Sequence, residues 1–70
     1  MSLIHCIWQN LDDTYQISIA QSILALEEWN IKIHTIWGER EKWAIIFAVE
    51  EKDAKKSLQI LAKHFDLVQN

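Results

Sequence analysis

The sequence predicts an α+β fold in the order strand, helix, strand, strand, helix, short strand, and three observations carry it. The stretch from Trp29 to Val49 crowds β-branched and aromatic residues at both ends around the only glycine and a run of four charged residues. That is the pattern of two antiparallel strands joined by a polar turn. The segments before and after it space their apolar residues as helices do. The first run, Leu3 to Trp8, is bulky and apolar on both alternations, as suits a strand lying centrally in a sheet.

Taken in order, Leu3 to Trp8 is strand one and Gln9 to Asp13 a polar loop. Asp13 is placed to cap the following helix, with Gln16 completing a capping box. From Thr14 to about Trp29 the stripe is Tyr15, Ile19, Ile23 and Leu26, with Ala20 and Leu24 beside it. No glycine closes this helix, and Asn30 is the residue suited to a left-handed cap. In strand two the alternation places Ile31, Ile33, Thr35 and Trp37 toward the helices and Lys32, His34 and Ile36 away from them. In strand three Trp43, Ile45, Phe47 and Val49 form the bulky inward set. Ala44, Ile46 and Ala48 form a small apolar set on the other face.

Glu50 to Asp53 opens a second helix with negative charge at its start, where the helix dipole favours it. Ala54, Leu58, Leu61, Ala62 and Phe65 make its inward stripe, and Lys55, Lys56, Gln59 and Lys63 its solvent side. A short last strand follows in Asp66 to Asn70. Two right-handed crossovers then give a four-stranded antiparallel sheet with both helices on one face, a ferredoxin-like βαββαβ sandwich. An apolar outer face on such a sheet predicts contact with another subunit or domain.

At 70 residues the chain is expected to be one domain. A domain of this size buries only about 60% of its unfolded surface, so its core is marginal without a crosslink, a metal or a partner. The single cysteine, Cys6, excludes an internal disulfide. Oligomerisation is what remains. No apolar run reaches the roughly 20 residues needed to span a bilayer. A net charge of −3 gives no general attraction to phosphate backbones. The expectation is a soluble, cytoplasmic protein that binds neither membrane nor nucleic acid.

The run Asn30-Ile31-Lys32-Ile33-His34-Thr35-Ile36, following Leu26-Glu27-Glu28-Trp29, resembles the start of the second strand in the ACT domains of aspartate kinases. So does Ile46-Phe47-Ala48-Val49-Glu50-Glu51-Lys52-Asp53-Ala54-Lys55-Lys56-Ser57-Leu58, with Leu61, Phe65 and Leu67 after it. The resemblance spans roughly residues 19 to 68. It implies a regulatory domain that pairs through its sheet, as a homodimer or attached to a catalytic domain, and binds an amino-acid effector. Carried over by position, the effector would sit at Asn10, Leu11, Asp12 and Asp13 in the first loop and at Asn30 and Ile31. This loop has neither the glycine nor the proline usual in the family, and its two aspartates would repel a carboxylate. The alternative is an interaction or dimerisation module of the same fold with no small-molecule ligand.

Groups for chemistry are few. His5 and Cys6, adjacent on a strand, point to opposite faces, and His34 lies on an edge strand away from both. They form no metal set, and no nucleophile, base and acid constellation or phosphate-binding glycine loop is present. No cofactor is implied. The domain is expected to be non-catalytic, standing alone or serving as the regulatory fragment of an amino-acid kinase. Of the four tryptophans, Trp43 is assigned to the core. Trp8 and Trp37 sit at strand ends, where either could serve an interface, and Trp8 is the one assigned to it alongside Ala44, Ile46 and Ala48.

Overall fold

The structure is a computed structural model that describes residues 1–9 and 14–67. Among the described residues the chain forms β1 (Ser2–Ile7), α1 (Tyr15–Glu28), β2 (Ile33–Glu39), β3 (Ala44–Val49), α2 (Ala54–Leu61) and β4 (Asp66–Leu67). Short 3-10 turns at Arg40–Lys42 and Glu51–Asp53 precede β3 and α2. The sheet order is β2-β3-β1-β4 and every pairing is antiparallel. This is the ferredoxin-like arrangement expected, with β1 and β3 central and β2 at an edge.

The β1–β3 ladder pairs Ile4 with Phe47 and Cys6 with Ile45, which sends these four side chains to one face. They share a single core with Tyr15 and Leu26 of α1, Ile60 and Leu61 of α2, and Phe65. Both helices therefore cover the same side of the sheet. The inward set expected for strand three holds at Ile45, Phe47 and Val49. Trp43 stands one residue outside β3 with a positive φ of 53°, and its ring still packs against the core.

The end of α1 follows from Asn30. Its φ of 56° is the left-handed value that asparagine tolerates, and it turns the chain sharply. The Asn30 N–H donates to the Glu27 carbonyl at 2.9 Å and the Ile31 N–H to the Leu26 carbonyl at 3.0 Å. This pair of bonds is a Schellman closure, and Leu26 and Ile31, both buried, supply the apolar contact that accompanies it. At the other end α1 opens from Thr14. Asp13, expected as the cap, lies outside the described residues.

Strand two differs from its simple alternation. Ile33 pairs with Val49, yet Thr35 pairs with Ala48, so His34 is an extra residue, a bulge in the β2–β3 ladder. One extra residue reverses the facing of everything after it. Ile33 and Ile36 pack against the core, whereas Thr35 and Trp37 face out. The expectation that Thr35 and Trp37 point to the helices, and Ile36 away, is thereby corrected. Ile36→Lys should cost about 2 kcal/mol or more by driving a charge against the core. Trp37→Lys should change the stability of dilute protein by less than about 0.5 kcal/mol. Urea unfolding of the two variants checks this, and the reverse ranking would restore the unbulged register.

The expected inward stripe holds at Tyr15, Ile19, Ile23 and Leu26 on α1, and at Leu61 on α2 and Phe65 after it, but the residues beside these stripes differ from expectation. On α1 Leu24 is 63% exposed and Ala20 is exposed, while Ser18 and Ser22 are buried beside Tyr15 and Leu26. On α2 Ser57, Ile60 and Leu61 are buried and Leu58 is exposed, as is Ala62 just past its end. Two of the buried serine hydroxyls bond back one turn: Ser22 Oγ donates to the Ser18 carbonyl and Ser57 Oγ to the Asp53 carbonyl, each at 2.8 Å. α1 and α2 lie in contact, and small side chains are what let packed helices approach closely. Lys56 adds a tie at the rim, its Nζ 3.6 Å from the centre of the exposed Trp29 ring.

Candidate functional site

The four loop residues expected to hold an effector, Asn10, Leu11, Asp12 and Asp13, lie outside the described residues. Asn30 is exposed in its left-handed turn. Ile31 is buried in the core, and its N–H is already bonded to Leu26. The Ile31 side chain therefore serves packing.

Trp8, expected at an interface, is 5% exposed. It continues the inward alternation of Ile4 and Cys6, and its backbone N–H donates to the Trp43 carbonyl at 2.8 Å. Its ring meets Phe65 edge-on at 5.7 Å and Tyr15 at 6.4 Å, and Tyr15 in turn meets Trp43 edge-on at 5.4 Å. Trp8 is thus a core residue of this aromatic cluster and not part of the outer face. Gly38 fits the same end of the sheet: a Cβ there would come within 3.2 Å of the Tyr15 hydroxyl, which donates to the Ala44 carbonyl at 3.0 Å.

Ala44, Ile46 and Ala48 do lie on the outer face, and the sheet register shows what joins them. Across the strands, Leu3, Ala48 and Thr35 form one row, His5, Ile46 and Trp37 a second, and Ile7, Ala44 and Glu39 a third. Leu3 is 54% exposed and Trp37 46%, so these are the large apolar groups that this face presents most fully to solvent. Ala48 has no exposed surface of its own and forms the floor between its neighbours. A concavity of about 280 Å³ lies on this face, lined by His5, Trp37, Glu39, Lys42, Ala44 and Ile46. At its edge Lys42 Nζ is 3.2 Å from Glu39 Oε2, an exposed pair that adds little to stability.

Trp37 reaches this face only through the bulge, which sequence alternation does not reveal. Leu3 and Ile7 were within reach of sequence reasoning, since strand one is apolar on both alternations.

The remaining reactive groups stay apart. Cys6 is buried and His5 is exposed on the opposite face, as adjacent strand residues must be. His34, at the bulge, has its Nε2 3.9 Å from Glu50 Oε1. Among the described residues no group of three or more histidine, cysteine, aspartate or glutamate side chains converges on a metal position. Burial pushes the Cys6 thiol up from 9.0 to about 12. A thiol held protonated is a poor nucleophile, so Cys6 should resist a disulfide reagent at pH 8 in the folded protein and react on adding urea. Rapid labelling without denaturant would contradict its burial. Because the folded-state value lies above the unfolded one, this group's contribution to stability is full below pH 9 and is lost as pH rises toward 12.

Among the described residues no helix is long and apolar enough to cross a membrane. Comparisons with protein-family models, curated proteins and solved structures find no match to this chain.

Proposed function

We propose that this domain is a non-catalytic assembly module that pairs with a second copy of itself through the outer face of its sheet. One observation carries the reading: the three rows across β1, β3 and β2 hold Leu3, Ile7, Trp37, Ala44, Ile46 and Ala48 on the side away from the helices. A free antiparallel sheet face is ordinarily polar on that alternation. The alanines keep the centre of the face low, so a second sheet can approach to the ~10 Å separation of packed sheets while Trp37 and Leu3 supply apolar area. A two-fold pairing of this kind is self-complementary and needs no second protein.

Such pairing also suits the regulatory role that the ACT resemblance implies, because it fixes the relative orientation of whatever is attached to the two domains. The assembly reading does not depend on an effector. Sedimentation velocity over a dilution series is the test, with a mass that shifts from dimer to monomer on dilution as the expected result. Ile46→Lys should hold the chain monomeric while leaving its far-ultraviolet circular dichroism unchanged, since a desolvated charge at the centre of the seam is unfavourable. A wild-type chain that sediments as a monomer at every concentration would overturn the proposal.

A further inference from the structure

We draw no further inference here: the strongest candidate, the outward apolar stripe of Ile17, Ala20 and Leu24 on the side of α1 facing away from the sheet, carries nothing because nothing in the structure shows what covers it.

Discussion

Replacing Phe47 by alanine should cost about 3–5 kcal/mol, the range for deleting a buried aromatic side chain. Phe47 has no exposed surface and sits in β3, between Ile4 on β1 and Ile36 on β2, where both central ladders meet the core. The loss has two parts, the transfer free energy of the ring and the cavity left where neighbours cannot fully close. A domain of this size is stable by only about 4–10 kcal/mol, so the variant should be largely unfolded or melt far below the parent. Urea unfolding followed by circular dichroism measures the effect. Leu24→Ala, at an exposed position on α1, is the control and should move stability by less than about 0.5 kcal/mol. A Phe47→Ala loss below about 1 kcal/mol would mean that the core does not close on this residue.

The second large effect concerns the helix layer. Ser22→Leu should destabilise by about 1–3 kcal/mol, although it replaces a polar residue with a good helix former. Ser22 is fully buried, with its hydroxyl turned back onto the Ser18 carbonyl, so added carbons have no free volume and must push neighbouring elements apart. Ser22→Ala should be close to neutral: it gives up a hydrogen bond worth about 1 kcal/mol net and gains helix propensity of roughly half that. The contrast separates steric crowding from loss of the hydroxyl. If leucine were tolerated as well as alanine in thermal melts, close packing around Ser22 would be refuted.

Several features were legible in the sequence. Asn30 could be assigned a left-handed cap because the helical pattern ends there without glycine, and asparagine is the residue that accepts that backbone. The inward set of β3 was legible because Ile45, Phe47 and Val49 alternate without interruption. The outer set of Ala44, Ile46 and Ala48 followed from the same alternation. The β2 alternation failed at His34, where an extra residue leaves no mark in composition. On the helices the main stripe holds at Tyr15, Ile19, Ile23, Leu26 and Leu61, and at Phe65 beyond them. Ala20, Leu24, Leu58 and Ala62 are exposed for a related reason: apolar spacing weighs residues by hydrophobicity, whereas packed helices also select for small size. Serines with internally bonded hydroxyls meet that need and look polar in the sequence.

By itself, then, the sequence determined the order of elements, the central place of β1, the end of α1 and the existence of an apolar outer face. These depend on local propensity and on periodicities of two and 3.6, which the chain carries residue by residue. Only the tertiary structure decided which aromatics occupy that face. Trp8 enters the core because it continues an unbroken inward alternation, and Trp37 leaves it because a bulge in one strand is defined only against its partner strand. Pairing across strands is non-local, and no reading of one segment contains it.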